Sequence, residues 1–275
     1  MIGISYHSGG MVDKPLAWVI EHLAHIGYDG IEIVCGPEAH IRTGDPLPPQ
    51  LDQTRTLLAE HGMAVVAINP YTQPPLAQFA HQDFEGAVAR WSLLIDIAVE
   101  LGSRNVNFLP GWLAEGDKQA WEVLIAALKA LAPYAEGKGV NLAIHNHEGQ
   151  IIDSPDKCLN LIEQVGSERL KVLCDITNFW ILGADVEQAV RRVGPYITHC
   201  HQKGVAGKYP FNKFLVPGEE GDELPFLPFA HALGEIGYEG YISVETFSWM
   251  RADKAQIAYD LISKGLSALG LRAAR

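Results

Sequence analysis

Short β-forming segments alternate with longer amphipathic segments along the chain, and this alternation restricts the possible folds more than any other feature. The short segments are rich in Val, Ile and aromatic residues, whereas the longer ones show helical periodicity. Strands are predicted near 2–7, 30–34, 64–69, 104–109, 140–146, 169–175, 196–201 and 240–246. Helices are predicted near 14–26, 48–61, 80–101, 117–137, 155–165, 185–193, 224–235 and 251–268.

Residues that commonly begin and end helices lie at these predicted boundaries. Asp13 and Ser154 each precede a helix with a proline near its first turn. Glycine directly follows most of the predicted helices, as expected of residues that end helices in the left-handed conformation. These glycines are Gly27, Gly62, Gly102, Gly139, Gly166, Gly194 and Gly237.

Eight strand and helix units in alternation predict an α/β fold with a parallel sheet, and closure after the eighth unit gives a single (β/α)₈ TIM barrel. An open, doubly wound sheet is the alternative, but such sheets usually carry a glycine-rich phosphate turn after the first strand. The segment SYHSGGM, residues 5–11, lacks that spacing. We therefore expect one barrel domain over residues 1–275.

Composition argues against several classes of partner. The net charge is −12, and the basic residues form no cluster longer than Arg191-Arg192, so nucleic acid is not an expected partner. An uncharged apolar run of about 18 residues, which a membrane span needs, is absent from the sequence. The N-terminal segment does not resemble an export signal, and the four cysteines have no paired spacing. We expect a cytoplasmic protein with reduced, packed thiols.

Polar side chains occur at or near the end of each predicted strand. Because the carboxyl ends of barrel strands meet at one face, these side chains are expected to line one mouth. They are His7, Glu32, Asn69, Asn107, His145, His147, Asp175, His199, His201 and Glu245. Alternation along a strand places His145 with His147, and His199 with His201, on shared faces. Divalent cations accept imidazole and carboxylate ligands together, so His145, Asp175, His201 and Glu245 form a candidate metal site.

Simpler interpretations of these residues remain open. Asp175 precedes a short apolar segment and could cap a helix. Glu245 could pair with Arg251 or Lys254. His7 and Glu32 could each make only a hydrogen bond at the rim. The occurrence of four ligand types on four consecutive strands favours the metal site over four unrelated roles.

The chain resembles the xylose isomerase-like TIM-barrel family of sugar isomerases and epimerases, which also includes inosose dehydratases. The resemblance covers essentially the whole chain. It is carried by GYDGIEI (27–33), AIHNHEG (143–149), VLCDITNFWILG (172–183), ITHCHQKG (197–204), VPGEEGDE (216–223) and GYISVET (240–246). It implies one divalent metal ion (Mn, Mg, Co or Zn) on His145, Asp175, His201 and Glu245, and a loop from Gly204 to Pro217 over the site.

Two positions depart from the pattern of the epimerases in this family. His145 stands where those enzymes usually have a Glu that binds metal and moves a proton, and Asn178 stands where many have His. The first departure weakens the hypothesis of an epimerase with two glutamate bases and strengthens the hypothesis of a lyase. Whether Glu148 replaces His145 as a ligand stays open at this point, although strand alternation points Glu148 away.

The expected chemistry is proton abstraction next to a carbonyl, with a metal-stabilised enediolate. Glu245 or His145 is the expected base, and His147 is a further catalytic candidate. Residues expected to bind substrate are His7, Glu32, Asn69, Asn107, Asn178, His199 and Lys203. The leading hypothesis is a sugar isomerase or epimerase. A dehydratase acting on a cyclic keto-polyol is the alternative, and a non-catalytic sugar-binding barrel is a third. The expected partner is an unphosphorylated sugar or polyol, and the protein could form homo-oligomers.

Overall fold

Eight parallel strands form a closed barrel in the computed structural model, which describes residues 1–71, 74–112, 118–249 and 254–273. The strands are β1 (Gly3–His7), β2 (Gly30–Gly36), β3 (Ile41–Arg42), β4 (Ala64–Pro70), β5 (Asn105–Phe108), β6 (Asn141–His145), β7 (Leu170–Asp175), β8 (Ile197–Gln202), β9 (Gly204–Ala206), β10 (Lys213–Leu215) and β11 (Tyr241–Val244). The barrel consists of all of them except β3, β9 and β10.

The pairing of β1 closes the sheet. On one side β1 pairs in parallel with β11, with Ile4 opposite Ile242. On the other side it pairs in parallel with β2, with Tyr6 opposite Ile31. An open sheet would leave its two outermost strands without such partners. The predicted TIM barrel is therefore confirmed, and the open-sheet alternative is wrong.

Helices cover the outside of the barrel, and most of them match the prediction. They are α1 (Leu16–Ile26), α2 (Leu47–His61), α3 (Leu76–Gln82), α4 (Phe84–Glu100), α5 (Lys118–Lys138), α6 (Pro155–Val165), α7 (Ile176–Ile181), α8 (Val186–Val193), α9 (Phe226–Glu235) and α10 (Ala255–Ala268). Two helices were predicted to begin at residues 117 and 251, and both of these residues lie outside the described part of the chain.

Two helices differ from the sequence prediction. The segment predicted as one helix over 80–101 is two helices that meet at Asp83, whose carboxylate accepts a hydrogen bond from the Gly86 N–H at 2.9 Å and so starts α4. Helix α7 directly follows β7 and is absent from the predicted helices, although the possible cap at Asp175 indicated it; six residues are too few for a helical period to stand out.

Helix ends follow the predicted signals in most cases. Ser154 caps α6 by accepting a hydrogen bond from the Lys157 N–H. Asp13 does not cap α1, which begins after Pro15 without a side-chain cap. Gly27 ends α1 with a φ of 112°, a conformation that glycine adopts without strain. Gly194, in contrast, has a φ of −44° and continues into a short 3₁₀ turn.

A hairpin replaces the predicted loop between Gly204 and Pro217. Strands β9 and β10 pair antiparallel, with Gly204 opposite Leu215. The turn of the hairpin is attached to α7, because the Tyr209 N–H donates to the Ile181 carbonyl at 3.1 Å. The hairpin directly follows β8, so it belongs to the carboxyl end of the barrel. This location agrees with the expected cover over the site.

Polar side chains are buried inside the carboxyl half of the barrel, while apolar residues fill the space between strands and helices. Glu32, Asn107, His199 and His201 are each at most 1% exposed. All four cysteines are buried and free, as predicted. Among the described residues, none of the helices has the length and apolar character needed to span a membrane.

Gly204 provides a test of how the hairpin is held. A Cβ at this position would lie 2.4 Å from the Val216 carbonyl oxygen, which is backbone and cannot move aside easily. Gly204→Ala should therefore lower the free energy of unfolding by about 1–3 kcal/mol in urea denaturation. Gly137→Ala in α5 is the control, since nothing lies within 4 Å of a Cβ there, and it should be neutral or stabilising. Equal stability of Gly204→Ala and the parent protein would contradict this packing.

Candidate metal centre

Four metal-binding side chains converge at the carboxyl end of the barrel. His145 ends β6, Asp175 ends β7, His201 lies in β8, and Glu245 follows β11. One ligand atom from each lies within 4.8 Å of the corresponding atoms of the other three. These are the four residues that the sequence analysis assigned to a metal, and the barrel brings them together.

The distances within this group are those of a compact cluster. His145 Nε2 lies 3.1 Å from Asp175 Oδ2 and 4.0 Å from Glu245 Oε2. His201 Nδ1 lies 3.3 Å from Glu245 Oε2. Two imidazole nitrogens and two carboxylates suit a borderline or hard divalent cation such as zinc, manganese or magnesium.

One orphaned atom supports this fit. His201 Nδ1 is buried and has no hydrogen-bond partner, although it faces Glu245 Oε2. A buried nitrogen without a partner is costly and uncommon in folded proteins. A cation held by the four side chains would give His201 Nδ1 a partner.

Lys203 contributes the ammonium group of the cluster. Its Nζ contacts both Asp175 and Glu245, and the residue is only 1% exposed. The backbone of Lys203 is fixed by Thr177, whose hydroxyl donates to the Lys203 carbonyl and accepts from its N–H, both at 2.9 Å. Burial lowers the pKa of Lys203, but the two carboxylates outweigh it and hold the pKa above its usual value.

The charges in the barrel mouth favour a divalent ion. Glu32, Asp175 and Glu245 have pKa values below their usual range because nearby positive groups outweigh the effect of burial. Without a metal, the three carboxylates exceed the Lys203 ammonium and a protonated His201 by one negative charge, and the excess becomes two when His201 loses its proton to act as a ligand. One divalent cation would neutralise that excess, and buried charge is stable only when it is compensated.

The two histidines of the cluster differ in protonation. Burial lowers the pKa of His145 to about 4, so this ring is neutral at pH 7, as a metal ligand must be. Burial also lowers the pKa of His201, but Glu32 and Glu245 outweigh it and raise the pKa to about 10. In the metal-free protein His201 is therefore an imidazolium between two carboxylates.

Asp175 is held by amide groups on both sides. Asn146 exchanges two hydrogen bonds with the Asp175 backbone, each 2.9 Å long. The Asn178 side chain donates to Asp175 Oδ2 at 2.9 Å, and the backbone N–H of Asn178 donates to Asp175 Oδ1 at 3.0 Å. Asp175 thus caps α7, as one interpretation expected, and it also lies in the candidate metal group. Asn178 is fully buried and contacts the candidate ligand.

A second group surrounds Glu32. Glu32 Oε1 accepts from Asn69 at 2.7 Å and Asn107 at 2.9 Å. Glu32 Oε2 lies 2.9 Å from His199 Nε2 and 2.6 Å from His201 Nε2. Five residues predicted to bind substrate are thus gathered here, since His7 Nε2 also lies 3.7 Å from Glu32. His201 belongs to both groups.

His147 lies just beyond the end of β6, so strand alternation does not apply to it. Its ring centre is still 5.6 Å from that of His145. His147 Nδ1 lies 3.0 Å from Glu148 Oε2 and 2.9 Å from the Glu148 carbonyl oxygen. The His147 side chain is 29% exposed, so it is more accessible to solvent than that of His145, which is 5% exposed. Glu148 is paired with His147 and lies outside the group of four.

The partner of Glu245 and two residues that the sequence analysis left out of the site complete the comparison with the prediction. Glu245 pairs with Lys203, whereas Lys254 contacts Glu219, and Arg251 lies outside the described residues. The sequence analysis did not assign Asn146 or Thr177 to the site. The position of Asn146 between two candidate histidines was a usable signal, but nothing in the sequence pairs Thr177 with Lys203.

Residues 20–263 match the profile of a family described as the xylose isomerase-like TIM barrel. The chain belongs to this family. The predicted resemblance is therefore confirmed over most of the sequence, and the barrel described above is the fold of the family.

Relatives within the xylose isomerase-like family catalyse different reactions. A D-psicose 3-epimerase of Enterocloster bolteae is 24% identical, with 83% of this chain and 75% of the relative aligned. An inosose dehydratase of Clostridium perfringens is 22% identical, with 84% of this chain and 87% of the relative aligned. The crystal structure of a D-tagatose 3-epimerase-like protein superposes with a TM-score of 0.81 and 18% identity, covering 98% of each chain.

The protonation of His201 makes metal binding depend on pH. Its pKa of about 10 means that a metal ion must displace a proton from this ring at neutral pH. Affinity for Zn²⁺ should rise as the pH increases from about 6 to about 8, with the release of about one proton per ion. Calorimetry in buffers of different ionisation enthalpy measures this release. Binding without proton release would contradict the assigned state of His201.

Proposed function

We propose that this protein is a metal-dependent isomerase or epimerase acting on a small keto-sugar or polyol. The observation that carries the proposal is the position of Glu245. Its side chain is 13% exposed, whereas those of Asp175 and His201 are fully buried and that of His145 is 5% exposed. Glu245 is therefore the member of the cluster best placed to meet both a metal ion and a substrate entering from the mouth.

The residues of the cluster suit proton abstraction next to a carbonyl. A divalent cation held by His145, Asp175, His201 and Glu245 would supply polarisation of the substrate carbonyl. Glu245 is ionised because Lys203 and His201 lower its pKa, so its carboxylate can accept a proton from the adjacent carbon. Delivery of a proton to the former carbonyl carbon gives an isomer. Delivery to the opposite face of the carbon that lost its proton gives an epimer and requires a second proton donor on that face.

Lys203 and His147 would assist at the substrate oxygens. The Lys203 ammonium lies between two carboxylates at the mouth, where it can stabilise negative charge that develops on an oxygen. His147 is held through Nδ1 by Glu148, which leaves Nε2 for a substrate hydroxyl. Because Lys203 is already paired with two carboxylates, we propose an unphosphorylated substrate.

Dehydration is the second candidate reaction. His145 occupies the position where a second glutamate base would be expected in an epimerase, and burial keeps this ring neutral by lowering its pKa to about 4. With one carboxylate base at the mouth and a partly exposed His147 beside it, loss of a β-hydroxyl is chemically reasonable. The inosose dehydratase relative supports this candidate as much as the psicose epimerase relative supports the first.

A substrate screen separates these reactions. The metal-loaded protein is incubated with ketohexoses and inososes, and the products are analysed by mass spectrometry and NMR. An isomerase or epimerase gives products of unchanged mass, whereas a dehydratase gives products lighter by one water. A sugar-binding barrel without catalysis predicts no product and no bound metal, and that combined result would contradict the proposal.

Substitution of Glu245 tests its role as the base. Glu245→Gln keeps the size of the side chain but removes the proton acceptor, so turnover of any active substrate should fall by about 10²–10⁴-fold. Glu219→Gln is a matched control, because Glu219 pairs with Lys254 outside the cluster and the variant should keep activity near that of the parent. Glu245→Gln with turnover close to the parent protein would refute the assignment.

A further inference from the structure

We propose that Glu32 is a positioning residue that holds the ring of His201 with Nδ1 directed towards the metal centre, and that Glu32 does not itself contact substrate. This inference rests on the proposed metal-dependent function, but it does not depend on which reaction the protein catalyses. It changes the role that the sequence analysis gave to Glu32, from a substrate contact at the mouth to a support beneath the ligands.

The environment of Glu32 excludes direct contact with substrate. Glu32 is fully buried on β2, which is three strands from β8 around the barrel. Its two oxygens have four partners, which are Asn69, Asn107, His199 and His201. A carboxylate with two partners on each oxygen has little remaining capacity to bind a sugar hydroxyl.

The contact with His201 determines which nitrogen of that ring carries the proton. An ionised carboxylate can only accept hydrogen bonds, so His201 Nε2, at 2.6 Å from Glu32 Oε2, must donate. When the ring is neutral, Nδ1 then has a free lone pair. That lone pair points to Glu245 Oε2 at 3.3 Å and has no hydrogen-bond donor. This arrangement of carboxylate, histidine and metal is a common means of orienting a ligand.

The carboxylate of Glu32 is itself held in one orientation. Asn69 and Asn107 both donate to Oε1 and so prevent the group from rotating away from the histidines. His199 donates to the same oxygen as His201 and fills the other side of it. The ring of His201 is therefore fixed by a network that extends over β2, β4, β5 and β8.

A second metal ion at Glu32 is the competing interpretation, because Glu32, His199 and His201 also form a compact group. A metal ion there would require His201 Nε2 to lose its proton. The ion would also polarise the Glu32 carboxylate, whose Oε1 already accepts hydrogen bonds from Asn69 and Asn107. An ion on the Nε2 side would leave the ring proton on Nδ1, and His201 could then not act as a ligand together with His145, Asp175 and Glu245. The observed contacts therefore favour positioning over a second site.

The test uses zinc-loaded protein labelled with ¹⁵N-histidine. Long-range ¹H–¹⁵N spectra identify the protonated and metal-bound nitrogens of each ring, and His201→Asn assigns the signals of His201. In the parent protein we expect Nε2–H and zinc-bound Nδ1. Glu32→Gln replaces the carboxylate with an amide. In this variant His201 should no longer show Nε2–H with zinc-bound Nδ1, and zinc binding should weaken by about 10–100-fold.

A matched control separates positioning from general destabilisation. Asn105→Ala also removes hydrogen bonds from the barrel interior, to Val66 and Asn141 among others, but it does not contact Glu32. It should preserve the His201 pattern and bind zinc within about threefold of the parent protein.

Several outcomes would overturn the inference. A parent spectrum with Nδ1–H and zinc on Nε2 contradicts it even if Glu32→Gln fails to fold. Unchanged zinc affinity in a folded Glu32→Gln, or two zinc ions per chain, also contradicts it. Absence of zinc from the parent protein would instead contradict the proposed metal centre. The test uses no sugar, so its outcome does not depend on whether the substrate screen finds a substrate.

Discussion

The arrangement on which the structure of this barrel mouth depends is a buried ammonium between two carboxylates, with a third carboxylate held by histidine and asparagine side chains. Glu32 and Asp175 are fully buried and Glu245 is mostly buried, so each would destabilise the protein if left without partners. Lys203 compensates two of them, and histidine and asparagine side chains surround the third. The remaining negative charge is what makes a divalent cation fit here.

The barrel keeps these charges in place with little help from flexible segments. Parallel strands bring their carboxyl ends to one face, and each ligand is held by a neighbour on another strand or helix. Asn146 and Asn178 hold Asp175, and Thr177 holds the backbone of Lys203. His201 joins the metal centre to the deeper group around Glu32. A site of this kind binds its ligands in a preorganised geometry.

Much of the fold, and the convergence of His145, Asp175, His201 and Glu245 at one face, could be predicted from local patterns. The eight strands and the glycines that end helices leave periodic signals, and alternation correctly placed His199 and His201 on one face. The break at Asp83, helix α7 and the β9–β10 hairpin could not be predicted, because such short elements are stabilised by contacts with the rest of the protein. The depth of each side chain within the barrel also could not be predicted from the sequence. Nothing in the pattern distinguishes Glu32 beneath the ligands from Glu245 at the mouth.

Anomalous diffraction from crystals grown with Mn²⁺ tests the central claim most directly. The account predicts one strong peak per chain, within about 2.0–2.3 Å of atoms from His145, Asp175, His201 and Glu245. His201 should approach the ion through Nδ1. A peak placed elsewhere, or no peak at a manganese concentration that saturates binding in solution, would contradict the assignment of this cluster as the metal centre.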